Sequence, residues 1–178
     1  MEFFENAFDK ATKIKLVICD VDGTLTDGGI YIGESGELFK AFNCRDGFGI
    51  TVAKKFGLQT AIITGRTSAI TLNRAKELGI SAVKQGQMNK RKAYEELKAE
   101  FNLTDEEIAY VGDDIIDLPV FVQVGFKAAV GDADLELTKR ADFVAEHCGG
   151  HGAVRDVLEF ILKAQGKWTE IIKTYTEV

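Results

Sequence analysis

The stretch that decides the fold is IKLVICDVDGTLT, running from Ile14 to Thr26. Its first half, Ile14 to Cys19, is a short apolar run with β-branched residues, stopped abruptly by Asp20. That is the pattern of a buried strand ending in a polar loop. Working outward, Leu58 to Ile63 repeats the pattern and stops at Thr64-Gly65. Weaker versions are Ala82-Val83, Ile108 to Val111, Phe126 to Val130 and an edge piece at Phe143-Val144. Between them, Phe48 to Phe56, Ser68 to Leu78, Lys90 to Phe101, Leu118 to Val122 and Ala153 to Leu162 carry apolar residues at helical spacing. Strand and helix alternate, which predicts an α/β fold: a doubly wound, Rossmann-like parallel sheet with helices on both faces. Gly57, Gly79 and Gly125 follow helices, where a left-handed residue ends the last turn. Thr104 and Glu107 have the spacing of a capping box.

One interval breaks the alternation. From Thr26 to Asn43 two β-prone pieces, Ile30 to Ile32 and Glu37 to Phe42, flank a turn at Gly33 to Gly36. This predicts a small β-hairpin inserted after the first strand, at about residues 26–43, too short to be a domain. The 178 residues therefore read as one domain with that insert and a tail at about residues 166–178. Trp168, Ile171, Ile172 and Tyr175 in the tail have helical spacing suited to docking on a neighbour.

Composition narrows the function classes. Lys and Arg number 22 and Asp and Glu 28, a net charge of -6. A nucleic-acid binder needs a basic face, so this balance argues against one. No apolar stretch approaches the ~18 residues of a membrane span. The opening MEFFENAFDKATK lacks the basic and apolar regions of a secretory leader. Cys19, Cys44 and Cys148 form no CxxC pair and read as reduced thiols, so a cytoplasmic setting is expected.

In open α/β sheets, ligands bind beyond the carboxyl ends of the strands. Those ends carry Asp20, Asp22, Thr64 and the cluster Asp113, Asp114 and Asp117. Carboxylates brought together from distant strands repel unless a cation compensates. Oxygen ligands without His or Cys favour a hard octahedral ion, so Mg²⁺ is the expected cofactor. Thr64 offers a hydroxyl, Gly65 lets backbone amides approach a ligand, and Lys90 can neutralise phosphate charge. Together they form a set for phosphoryl transfer, with Asp20 as nucleophile and Asp22 as general acid and base.

Asp20-Val21-Asp22-Gly23-Thr24-Leu25-Thr26 resembles the first motif of the haloacid dehalogenase superfamily. Thr64-Gly65-Arg66 resembles the second, Lys90 the third, and Gly112-Asp113-Asp114-Ile115-Ile116-Asp117 the fourth. The hairpin insert, Arg45-Asp46-Gly47, Arg74, Gln85-Gly86 and Gly149 to Arg155 extend the likeness over nearly the whole chain. They resemble the 3-deoxy-D-manno-octulosonate 8-phosphate phosphatase family, a capless branch of that superfamily. The resemblance implies a Mg²⁺-dependent homotetramer that hydrolyses this eight-carbon sugar-acid phosphate, a step towards lipopolysaccharide. It implies an aspartyl-phosphate on Asp20, and metal held by Asp20, the Asp22 backbone carbonyl and Asp113. It also implies indirect support from Asp114 and Asp117, and phosphoryl binding by Thr64, Gly65 and Lys90. Arg66, Arg74 and Arg155 are the implied partners of the sugar carboxylate, also across a subunit boundary.

Plainer readings compete for several of these residues. Asp114 and Asp117 have the positions of caps for the helix containing Pro119. Arg66 and Arg74 read equally as surface charges, and only the family register singles out Lys90 from Arg91 and Lys92. His147, Cys148 and His151 lack the second ligand pair of a zinc site. Phe3, Phe4 and Phe8 read as an edge or interface cluster. Two further functions remain to be separated. One is a phosphatase of a nine-carbon sialic-acid-like 9-phosphate, whose members resemble this chain but tend to carry Glu at the position of Arg66. The other is a phospho-receiver signalling domain, in which the acid pair precedes Thr and Lys; here Thr64 and Lys90 precede Asp113.

Overall fold

The apolar run before Asp20 forms a strand whose four residues are all buried. In this computed structural model, which describes residues 2–4 and 6–177, that strand lies inside a seven-stranded sheet. In chain order the strands are β1 (Glu2–Phe3), β2 (Leu16–Cys19), β3 (Tyr31–Gly33), β4 (Gly36–Phe39), β5 (Gln59–Ile63), β6 (Ala82–Lys84), β7 (Ile108–Gly112), β8 (Phe126–Ala129) and β9 (Phe143–Val144). The large sheet runs β1-β9-β8-β7-β2-β5-β6, parallel throughout except for antiparallel β1 at its edge. Central β2 pairs in register with β5 through Leu16–Gln59 and with β7 through Leu16–Ile108. Asp20, Thr64 and Asp113 therefore emerge side by side at the carboxyl edge.

The helices are α1 (Ala7–Thr12), α2 (Cys44–Lys55), α3 (Ala69–Leu78), α4 (Lys90–Glu100), α5 (Leu118–Phe121), α6 (Leu135–Thr138), α7 (Ala153–Ala164) and α8 (Trp168–Thr176). Successive strand residues face opposite ways, and this divides the core. Val17 and Cys19 pack with Ile50, Ala53, Val157 and Ile161. Leu16 and Ile18 pack with Tyr94, Leu97, Val120 and Phe121. Side-chain caps begin four helices: Asn43 accepts from Arg45 N–H at 2.8 Å, Ser68 from Thr71 N–H at 3.3 Å, Asn89 from Arg91 N–H at 3.2 Å and Asp134 from Glu136 N–H at 2.7 Å.

The hairpin is the predicted one, β3 against β4, with a bridge between Thr26 and Phe42 at its root. Gly57 and Gly79 are left-handed as expected. Gly125 is not: its N–H donates to the Asp105 carbonyl at 2.7 Å, and a methyl there would strike the Glu106 backbone, so closeness is what selects glycine. Glu107 does close the box on Thr104, accepting from its N–H at 2.9 Å, but the box starts a single 3₁₀ turn before β7. The tail forms α8 and docks on its own chain. Ile171 is buried, Trp168 packs against the core, and the Tyr175 ring lies 5.4 Å from that of Phe48. The Phe3 ring of the edge strand lies 5.6 Å from that of Phe160, tilted by 44°. No helix among the described residues is long and apolar enough to cross a membrane.

Candidate active site

The loops after β2, β5 and β7 and the start of α4 enclose a cleft of about 220 Å³. It is lined by Asp20, Asp22, Thr64, Gly65, Arg66, Met88, Lys90, Asp113, Asp114 and Ile116. Nine of the eleven residues singled out from the sequence for chemistry thus lie in or against it, counting Asp117 beneath its floor; Arg74 and Arg155 do not.

Asp20 is only 5% exposed, and burial pushes its carboxyl up to about 6 despite the lowering pull of Lys90. Lys90 Nζ sits 2.8 Å from Asp20 Oδ1 and 2.6 Å from Asp117 Oδ1. Burial works against the ammonium, but the two carboxylates outweigh it and hold its pKa above the ordinary value. The hub is Asp117, with no solvent exposure. It accepts from Lys90, from the Tyr110 hydroxyl at 2.6 Å, and from the N–H groups of Asp113 and Asp114 at 3.0 and 3.3 Å. Asp117 is therefore more than a cap: it fixes both the lysine and the β7 loop. Asp114 does act as a cap, accepting from Ile115 N–H at 2.7 Å while lining the cleft.

Asp113 receives the Thr24 hydroxyl at 2.9 Å, and burial, reinforced by Asp117 and Asp20, pushes its carboxyl up to about 7. Gly23, at φ +91°, passes so close to Asp113 that any β-carbon would collide with its carboxylate. Oxygens of Asp20, Asp113 and Asp117 lie within 4.8 Å of one another, the one such acidic or thiol–imidazole group among the described residues. Asp20 Oδ1 is buried without an aligned hydrogen bond. Oxygen-only donors, raised carboxyls and an under-partnered buried oxygen fit a hard divalent cation.

Thr64 is buried, its N–H bonded to the Lys84 carbonyl, while its own carbonyl accepts from Gln87 N–H at 3.0 Å. Gln85 Oε1 accepts from Ser68 N–H at 2.6 Å, and Gly86 N–H reaches the Arg66 carbonyl at 3.2 Å. The Gln85-Gly86 segment thus braces the Thr64 loop from behind.

Arg66 points at the cleft, with Nε 3.8 Å from Asp22 Oδ2. Arg74 instead lies against Gly47, its guanidinium over the Phe42 ring and paired with Glu77 at 2.9 Å. Arg155 stacks over the Phe48 and Trp168 rings and pairs with Glu159 at 3.2 Å. Within one chain neither arginine lines the cleft, because each is held at the α2–α3 or α2–α7 joint. His147 and His151 bind no common partner: one faces Asp156 at 2.9 Å and the other the Gly149 carbonyl at 2.8 Å.

Sequence reasoning missed Thr24, Tyr110, Lys40, Glu37 and Ser68. Tyr110 had a signal, since a tyrosine inside an aliphatic buried strand needs a partner for its hydroxyl. The hairpin residues had none, because charges on a surface hairpin ordinarily face water.

A family model described as haloacid dehalogenase-like hydrolase matches residues 80–158. The chain is 49% identical over 161 residues to 3-deoxy-D-manno-octulosonate 8-phosphate phosphatase of Escherichia coli K12, covering 90% of this chain and 86% of that one. The chain belongs to this phosphatase family. Among solved structures of 3-deoxy-D-manno-octulosonate 8-phosphate phosphatases, that of Yersinia pestis superposes with a TM-score of 0.90 at 47% identity, over 93% of this chain and 89% of that one. The Moraxella catarrhalis phosphatase, solved in complex with magnesium ion, phosphate ion and KDO, superposes with a TM-score of 0.94 at 41% identity, over 97% of this chain and all of that one.

Proposed function

We propose that this protein is a Mg²⁺-dependent phosphatase that hydrolyses 3-deoxy-D-manno-octulosonate 8-phosphate to the free sugar acid and phosphate. The observation that carries the reading is its 49% identity, over 90% of the chain, to a phosphatase of that name. Asp20 attacks phosphorus as the P–O bond to the sugar breaks, and Asp22 gives its proton to the departing alkoxide. Asp22 then takes a proton from water as the water attacks the aspartyl-phosphate, and the bond to Asp20 breaks. Asp20, Asp113 and the Asp22 backbone carbonyl would hold the ion, with Asp114 and Asp117 supporting them. Bound there, Mg²⁺ supplies charge neutralisation for the phosphoryl oxygens.

Thr64 and the Gly65 amide bind phosphoryl oxygens, and Lys90, already beside Asp20, compensates the charge that gathers there. Arg66, which lines the cleft, meets the sugar carboxylate in this reading; Arg74 and Arg155 serve a substrate only from a neighbouring copy. The exposed apolar residues Ile32, Leu38 and Phe39 on the hairpin support assembly into a homotetramer. The whole chain acts as one domain, in the cytoplasm.

Phosphate release with Mg²⁺ is expected on the octulosonate 8-phosphate, at higher kcat/KM than on a nine-carbon sugar-acid 9-phosphate. Chelation and Asp20→Asn should each abolish turnover. Full turnover by Asp20→Asn would exclude the covalent route, and a preference for the nine-carbon ester would reassign the substrate.

A further inference from the structure

We infer that Lys40 is a positioning residue for the reaction: from the root of the hairpin it fixes the Asp22 carboxylate in the orientation from which that group transfers protons. The inference rests on the phosphatase reading above and adds a residue to it.

Lys40 follows β4 in a hairpin turned inside out. Ile32, Leu38 and Phe39 face outward, 67%, 58% and 50% exposed, while the Lys40 side chain is 2% exposed. Lysine is almost never buried unless paired. Here its ammonium contacts Asp22 Oδ1 and lies 3.2 Å from Glu37 Oε1. The other Asp22 oxygen has Arg66 Nε at 3.8 Å. The Asp22 carboxylate is thus held between two cations from different segments, one on the hairpin and one after β5.

The far side of this clasp is anchored as well. Glu37 Oε2 accepts from the Ser68 hydroxyl, and Ser68 caps α3 and is itself bound by Gln85. The Ser68 bond, helped by Lys40, holds the Glu37 carboxyl below the usual range, so the acid stays charged and the clasp stays closed. Asp22, Lys40, Glu37 and Ser68 form one chain of contacts from the nucleophile loop to the start of α3. A loop aspartate without such partners would sample several χ1 wells. At a reacting centre, a displacement of about 1 Å can cost on the order of 100-fold in rate. Stability alone is a poor explanation, since a buried ion pair is often no better than an apolar replacement.

The proton from Asp22 matters to a sugar alkoxide, a poor leaving group, and little to p-nitrophenolate. Both esters share the later hydrolysis of the aspartyl-phosphate, but kcat/KM ends with departure of the alcohol and does not contain it. The test therefore compares kcat/KM on the octulosonate 8-phosphate and on p-nitrophenyl phosphate, with Mg²⁺ present. Lys40→Met should lower the first by about 100-fold and the second by no more than about fivefold. Lys40→Arg, which keeps a cationic donor, should recover most of the selective loss. In an Asp22→Asn background, Lys40→Met should leave the ratio of the two values unchanged.

Equal losses on both esters would overturn the inference, showing Lys40 to be a general attractor of anions or a strut. So would a further change of the ratio in the Asp22→Asn background. Lys40→Gln is measured alongside, with melting curves, and the same ratio decides should Met loosen the hairpin. A wild-type protein inactive on both esters would overturn the phosphatase reading, whereas active wild type with equal variant losses overturns only the role of Lys40.

Discussion

Tyr110 carries one hydroxyl, and the cleft leans on it. It donates to Asp117 at 2.6 Å and accepts from Lys90 at 3.3 Å, among side chains that are all buried. Burial, with Asp117 and Asp20 nearby, pushes its phenol well above the ordinary pKa, so it stays a donor at any working pH. Tyr110→Phe removes a hydrogen bond to a charged acceptor, worth about 1.5–3 kcal/mol. The urea midpoint should fall accordingly, and kcat should fall with it as Lys90 loses one of its guides. An unchanged midpoint would mean that Asp117 finds another donor. At this scale the sequence was half legible. Asp20, Asp113 and Lys90 were marked by strand ends and motif order, whereas Asp117 was readable both as a cap and, by resemblance, as indirect support for the metal ligands. Its actual role depends on a lysine and a tyrosine reaching it from two other elements.

Among the elements, the loop from Gly149 to Gly152 shows how close packing shapes the loop that follows Asp20. Gly150 N–H bonds the Thr24 carbonyl at 3.0 Å, and a methyl on Gly149 would collide with the Gly23 carbonyl oxygen. Gly149→Ala must push the Gly23–Thr24 loop, because the obstacle is backbone and cannot rotate aside. Activity should drop by about 100-fold while the circular dichroism spectrum is retained; near-normal turnover would show that the loop absorbs the methyl elsewhere. In the sequence this segment stood out only as part of the family likeness, with nothing to show what it packs against. Strands and long helices were legible because their apolar runs and caps are local. Antiparallel β1, α1 and α6 were not, since two to six residues leave no period to read. What Arg74 and Arg155 touch within the chain was not legible either, because Phe42, Phe48 and Trp168 are brought to them by tertiary packing alone.

Across the whole molecule, the acidic surplus is concentrated. Setting Asp20, Asp22, Asp113, Asp114 and Asp117 aside from the 28 acids leaves 23 against 22 basic residues. Asp20 and Asp113 rise to about 6 and about 7, chiefly through burial. The folded chain therefore holds their protons more tightly than the unfolded one, whose carboxyls titrate near ~4. Their contribution is fully present below about pH 4 and is lost as pH rises through about 6 to 7. In chelator, the melting temperature should decline across that window, and Mg²⁺ should restore it at the upper end, where protons no longer compete for the carboxylates. Scanning pH with and without the ion checks this. A metal-free melting temperature that rose over the window would contradict the buried-acid account.

The contact between residues 23 and 149 also bears on the order of biosynthesis. Strand β2 is made before its neighbours β5 and β7, and the glycine collar on its loop follows later still. Closing contacts so distant along the chain is slow. A nascent polypeptide halted before Gly149 holds every motif acid but lacks the piece that keeps Gly23 and Thr24 in place. The Asp20 loop thus takes its final shape only once Gly149 and Gly150 have been made, and a chain that stops short of them carries Asp20 on an unsupported loop.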